Sequence, residues 1–265
     1  LTWDASLFGG PAWNPAWPET FRQSVAPVTA LTADHARPNP ATFVRHADPS
    51  RFAAERFAAL LSTHGVGVTL RGAAATPAGS VELARVESPP VATVVEQLLL
   101  QSDNDAAEAL ARHVAVARGR AATPTDSAAV LADELRARGL WADSMAVRDG
   151  NGISADNRVT ADALVRAVRS GIAERGRRAV VTGLPVAGVS GTLEDRFTVT
   201  DALAARGVVR AKTGTIRGVN SLAGYVVTAD GQPLVFAFLV TGGAGQTAAR
   251  AWLDQVTATL ASCGC

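Results

Sequence analysis

At 265 residues and 48% hydrophobic content, the chain can bury a substantial core as one large domain or as one domain with a smaller companion. Its 25 basic residues face 24 acidic ones, with no dense basic tract, which points away from a nucleic-acid partner. No apolar run approaches the roughly 18 residues of a membrane span, and the longest, Pro233 to Val240, reads as a core strand.

Along the chain, the first 50 residues hold seven of the 13 prolines, so the front reads as irregular and proline-pinned. The first residue is Leu1, with no charged-then-apolar signal segment before it, so a processed or truncated start is expected. Trp3, Phe8, Trp13, Trp17 and Phe21 are expected to pack a small β-rich core rather than to form a ligand shelf. Pro49 to Ser62 sets Phe52, Phe57, Leu60 and Leu61 near helical spacing and closes at His64-Gly65, which predicts an amphipathic helix. After Gly79 the elements lengthen. Val81 to Val86 reads as a short strand halted by Pro89-Pro90, and Val91 to Leu100 as an apolar helix. Gln101-Ser102-Asp103-Asn104-Asp105 supplies the cap-forming residues of the next helix, with Ala106, Ala107, Leu110, Ala111 and Val114 at helical intervals behind it. Ser102 and Asn104 therefore fall at a turn. Thr125 to Arg138 and Thr160 to Glu174 read as two further helices, each entered through a capping threonine. Leu131 and Leu135 face inward on one, and Leu164, Val168 and Ile172 on the other.

The C-terminal third reads as β followed by one helix. Val208 to Thr215, Val219 to Thr228 and Pro233 to Val240 are strands, and Asp230-Gly231 is a hairpin turn between the last two. Gln246 to Leu260 is a helix with Ala249, Trp252, Leu253, Val256 and Leu260 inward, able to return across the sheet. The two cysteines, Cys263 and Cys265, close the chain. With His35, His46, His64 and His113 scattered and none at ligand spacing, neither a metal site nor a cofactor is expected.

One composition detail leads to chemistry. Of the 25 basic residues only Lys212 is a lysine, and it opens Lys212-Thr213-Gly214-Thr215 on a strand. An ammonium is a compact point charge that changes protonation state when partly buried, whereas arginine does neither. Upstream lies Ser102-Asp103-Asn104 at a helix entry. In this order the two tracts match the second and third motifs shared by penicillin-binding proteins and class A β-lactamases.

Further blocks extend the match. Asp149-Gly150-Asn151-Gly152-Ile153-Ser154 precedes Asn157-Arg158-Val159-Thr160. Leu184-Pro185-Val186-Ala187-Gly188-Val189-Ser190-Gly191-Thr192-Leu193 and Gly218-Val219-Asn220-Ser221-Leu222-Ala223-Gly224-Tyr225 follow, and Ser6-Leu7-Phe8-Gly9-Gly10-Pro11 with Pro15-Ala16-Trp17 stands at the front. On these residues the chain resembles the low-molecular-mass class C penicillin-binding proteins, the D-alanyl-D-alanine carboxypeptidase and endopeptidase family of S13-like peptidases. The resemblance implies an α+β fold: an antiparallel sheet flanked by helices in a penicillin-binding-protein or β-lactamase-like domain, with part of a smaller inserted β-rich domain. Residues 1–75 are the expected end of that insertion, and 76–265 the C-terminal part of the peptidase domain.

The resemblance also implies serine acyl transfer on peptidoglycan stem peptides, with β-lactams as covalent inhibitors and an extracytoplasmic place of action. Ser102 would relay a proton to the departing amine, and Asn104 would hold the substrate amide and a lysine beside the nucleophile. Lys212 would supply positive potential, while the Thr213 and Thr215 hydroxyls would bind the substrate carboxylate. Gly214 would leave room along the strand, and the Thr215 N–H would form half of an oxyanion hole. The first family motif, Ser-x-x-Lys, is absent, because Lys212 is preceded three places earlier by Val209. The nucleophile is therefore expected on an upstream segment of the same protein. Two alternatives are a non-catalytic muropeptide-binding or structural remnant, and a β-lactamase. The second lacks the deacylating Glu-x-x-Leu-Asn loop.

Overall fold

The computed structural model describes residues 1–243 and 245–264. In chain order the elements are β1 (Thr2–Trp3), α1 (Pro49–Thr63), β2 (Gly72–Ala73), α2 (Val91–Gln101), α3 (Asn104–Ala117), α4 (Pro124–Ala137) and α5 (Ala161–Ala173). There follow α6 (Ala179–Thr182), β3 (Arg210–Ile216), β4 (Val219–Val227), β5 (Pro233–Thr241) and α7 (Gln246–Ala261). Two compact units share the chain, and they interleave. One comprises Leu1–Ser88, Asn104–Glu134 and Ala146–Asn157; the other comprises Pro89–Asp103, Leu135–Met145 and Arg158–Cys265. Each compact unit is assembled from three stretches of chain.

The second unit holds the antiparallel sheet, in the order β3-β4-β5. Alternation along β4 buries Leu222 and Val226 on one face, where they meet Phe236, Val209 and Ala211 and, from α7, Leu253, Ala258 and Ala261. On the other face Tyr225 and Val235 pack against Val168, Val181 and Leu184. Helices thus cover both faces, as the fold class requires. Thr160 caps α5 by accepting from the Ala163 N–H at 3.1 Å. Asp254 on α7 accepts from Arg196 at 2.5 Å and from the Phe197 N–H at 3.3 Å, tying the helix to the turn that carries the fully buried Phe197. Gly231 takes φ 85° in the β4–β5 hairpin, which is the reason for the Asp-Gly pair.

The first unit is held by side chains more than by sheet. Trp17, Val25, Val28 and Ile153 form a core with Phe8, Trp13 and Phe21 against it. The strands β1 and β2 pair over two residues each, so the aromatic core is irregular where a β-rich one is expected; proline-fixed turns occupy the ladder's place. Asp149 accepts from Trp17 Nε1 (2.9 Å), the N–H groups of Gly152 (2.8 Å) and Ser154 (2.6 Å), and Asn157 Nδ2 (2.8 Å). Glu108 and Arg112 on α3 are fully buried. Arg112 donates to the carbonyls of Ala122 (2.6 Å), Gly9 (3.2 Å) and Pro11 (3.4 Å), and Glu108 accepts from the Gly150 N–H at 2.7 Å. Burial pushes the Glu108 carboxyl up, partly offset by that N–H.

Several sequence expectations need correction. Val81, Leu83 and Val86 are 82%, 96% and 97% exposed, and no strand forms there, because no neighbouring strand is present to pair with them. On α1 the buried residues are Phe52, Ala53 and Ala54, while Phe57 and Leu60 are exposed. On α4 the cap is Thr123, whose hydroxyl accepts from the Asp126 N–H, and the buried residues are Ser127, Val130 and Ala132. Ile172 and Trp252 are half exposed; Gly171, Thr257 and Ala258 take the inner positions. Of the cysteine pair, Cys265 lies outside the described residues.

Candidate active site

Helix α2 delivers Ser102. The helix ends there, with Ser102 in the left-handed region at φ 58° and ψ 49°. The Asp103 N–H bonds back to the Leu98 carbonyl at 3.0 Å, closing the turn. Such a conformation costs a non-glycine residue roughly 1–2 kcal/mol, so the surrounding structure must hold it. Two glycines do so by allowing close approach. A Cβ on Gly183 would stand 2.6 Å from the Glu96 Cα, and one on Gly191, whose φ is 56°, would press into the Leu100 carbonyl. Thr182 Oγ1 also donates to Glu96 at 2.5 Å. The segment 183–191 thus fixes the end of α2.

Strand β3 delivers Lys212. Its Nζ donates to Ser102 Oγ at 2.7 Å and to the Thr213 carbonyl at 2.9 Å. Burial pulls the ammonium down to about 8. With the ammonium charged, the Lys212–Ser102 bond runs from nitrogen to oxygen, which leaves the serine's own proton free to be donated elsewhere.

Register assigns the remaining residues. Lys212 lies opposite Ala223, whereas Thr213 lies opposite Leu222 and Thr215 opposite Asn220, so the two threonines share the face opposite to Lys212. Thr213 Oγ1 makes a 3.0 Å hydrogen bond with Thr192 Oγ1. Thr192 was not among the sequence candidates, since a loop residue 21 positions upstream carries no periodic signal. A Cβ on Gly214 would overlap Ser221 Oγ, so Gly214 makes room for that hydroxyl. Strand β3 is the sheet's edge. Among the described residues its outer side is bridged at its start, where the Ala211 N–H donates to the Pro185 carbonyl at 3.0 Å. Backbone groups alternate in direction along a strand, so the N–H groups of Thr213 and Thr215 point to that same outer side. Asn104 begins α3 in the other compact unit, where its carbonyl accepts from Asn151 Nδ2 at 3.4 Å.

A serine hydroxyl bonded to a lysine whose ammonium is held below its ordinary value, beside an edge strand with outward N–H groups, is suited to moving a proton and holding an oxyanion. Comparison with known proteins agrees with the motifs. Residues 19–263 match the model of the D-Ala-D-Ala carboxypeptidase 3 (S13) family. The carboxypeptidase DacB of Mycolicibacterium smegmatis is 36% identical over 99% of this chain, and the D-alanyl-D-alanine carboxypeptidase of an Actinomadura species is 32% identical over 84%. The chain spans 58% and 42% of the length of those two relatives. In structure it is similar to penicillin-binding protein 4 of Haemophilus influenzae, with a TM-score of 0.81 at 18% identity, over 98% of this chain and 74% of that one. From the Ser102–Lys212 geometry, the motif order and a match over most of its length, the chain belongs to the D-Ala-D-Ala carboxypeptidase 3 (S13) family.

Proposed function

We propose that this chain carries the proton-relay and substrate-binding part of a serine D,D-peptidase that cleaves the D-alanyl-D-alanine end of peptidoglycan stem peptides and is acylated by β-lactams. The observation that carries the proposal is the 2.7 Å bond from Lys212 Nζ to Ser102 Oγ. The nucleophilic serine and its lysine belong, on this reading, to a Ser-x-x-Lys segment upstream in the full-length protein, since the sequence itself holds no Ser-x-x-Lys. Because peptidoglycan is the substrate, the site of action is outside the cytoplasmic membrane.

In the acylation step the nucleophile's oxygen bonds to the carbonyl carbon and the C–N bond to the terminal D-alanine breaks. The lysine of the Ser-x-x-Lys segment takes the nucleophile's proton, the departing nitrogen takes the proton of Ser102 Oγ, and that lysine then passes its proton to Ser102, so none is gained or lost. Thr215 N–H donates to the oxyanion, and Thr213 and Thr215 hydroxyls receive the terminal carboxylate. Asn104 holds the substrate amide, and Gly214 serves the strand by making room for Ser221 Oγ.

The test is to label the full-length protein with a fluorescent penicillin and to measure its intact mass. One covalent adduct is expected, and Lys212→Arg should slow its formation sharply while leaving the circular dichroism spectrum unchanged. Absence of any adduct on the wild-type protein refutes the peptidase reading; a wild-type rate in the variant refutes the role of Lys212.

A further inference from the structure

We propose that Thr192 is a positioning residue for the substrate carboxylate, acting through Thr213; this rests on the peptidase reading above. The two hydroxyl oxygens lie 3.0 Å apart, and both residues are half-buried. Each hydroxyl owns one proton and two acceptor positions, so one proton lies between the oxygens and the other points away from the pair. If Thr213 donates inward, its own oxygen offers only lone pairs to the outside, and a carboxylate meeting it is repelled. If Thr192 donates inward, the Thr213 proton is turned outward and meets the carboxylate. Hydroxyl rotation exchanges the two arrangements without moving a heavy atom, and an anion at Thr213 selects the second. In that state Thr192 also polarises the Thr213 hydroxyl, strengthening its outward bond.

The backbone supports a fixed role for Thr192. It follows Gly191, whose left-handed φ and close approach to the Leu100 carbonyl admit no side chain. It precedes Leu193, fully buried in the core beneath the sheet. Both neighbours are therefore anchored, and the Thr192 hydroxyl is held against β3 by the same turn that fixes the end of α2. A residue placed only to fill space here would not need an oxygen at hydrogen-bond distance from a strand threonine.

The test uses full-length protein and two peptides that differ only at the C-terminus: acyl-D-Ala-D-Ala as the free acid and as the amide. Loss of the neutral Thr192–Thr213 hydrogen bond, which polarises and orients the Thr213 hydroxyl, predicts that Thr192→Val lowers kcat/KM for the acid roughly threefold to fivefold, mainly through KM, while leaving the amide nearly unchanged. Thr192→Ser, which keeps the hydroxyl, should restore the acid to near wild type. An equal fall for acid and amide, or a Thr192→Ser variant that behaves like Thr192→Val, overturns the proposal by assigning Thr192 a packing role. Unchanged discrimination in Thr192→Val also overturns it while leaving the peptidase reading intact. A wild-type protein that cleaves neither peptide and takes no penicillin adduct overturns both.

Discussion

Raising the pH from 7 to 9 should stabilise the wild-type chain relative to a Lys212→Met variant. Burial holds the Lys212 ammonium at about 8 against an ordinary 10.5. Between those values the unfolded chain binds more protons than the folded one, so stability rises with pH across that window and not below it. At about 1.36 kcal/mol for each pH unit, the full penalty for keeping the ammonium charged in the fold is roughly 3 kcal/mol, all of it present well below pH 8. Integrating the proton difference from pH 7 to pH 9 returns about 1.3 kcal/mol of it. Urea denaturation of both chains at pH 7, 8 and 9, followed by circular dichroism, reads the effect as a difference in slope. The variant also loses the bonds to Ser102 and Thr213, which displaces its curve without tilting it. Parallel pH dependences for the two chains would refute a buried, depressed lysine.

Three other substitutions probe the supports. Gly191→Ala should destabilise by roughly 2 kcal/mol or more in chemical denaturation, because alanine meets both an unfavourable φ and the Leu100 carbonyl; full-length protein carrying it should also acylate more slowly. Ser102→Gly should be about 1 kcal/mol more stable than Ser102→Ala, since glycine accepts φ 58° without cost and both lose the same hydroxyl. Arg112→Met should cost roughly 3–5 kcal/mol, as it strips three carbonyls of a donor and leaves Glu108 buried without its cation. Thermal unfolding that moves little in that variant would refute the role of Arg112 in satisfying those carbonyls and Glu108.

The sequence was most informative where chemistry is local. The ends of α2 and α5, the three long strands and the Asp230-Gly231 turn follow from caps, branching and period, and Ser102 and Lys212 stood out by motif and by the scarcity of lysine. Contacts distant in sequence were not legible. The pattern on α3 spaces Ala106, Ala107, Leu110, Ala111 and Val114 at helical intervals, yet the residues the helix buries are Glu108, Ala111, Arg112 and Ala115. An i,i+4 charged pair ordinarily reads as a solvated face, and its burial depends on carbonyls from Gly9, Pro11 and Ala122. Val81 to Val86 shows the reverse error, since β-branched alternation forms a strand only when another strand lies beside it. Thr192 needed both failures to be overcome, being a loop residue whose meaning lies wholly in a partner on β3.

The interleaving of the two compact units has a consequence for how the protein is made. The Trp17–Asp149 hydrogen bond joins residues 132 apart, and the unit that contains it cannot close until residue 157 has been synthesised. The sheet comes later still, and α2, the helix that delivers Ser102, waits more than 100 residues for β3. Such non-local closure slows folding and leaves apolar segments exposed while the chain is unfinished. A newly made α2, apolar along most of its length, is therefore the segment whose protection during synthesis should most affect the yield of folded protein.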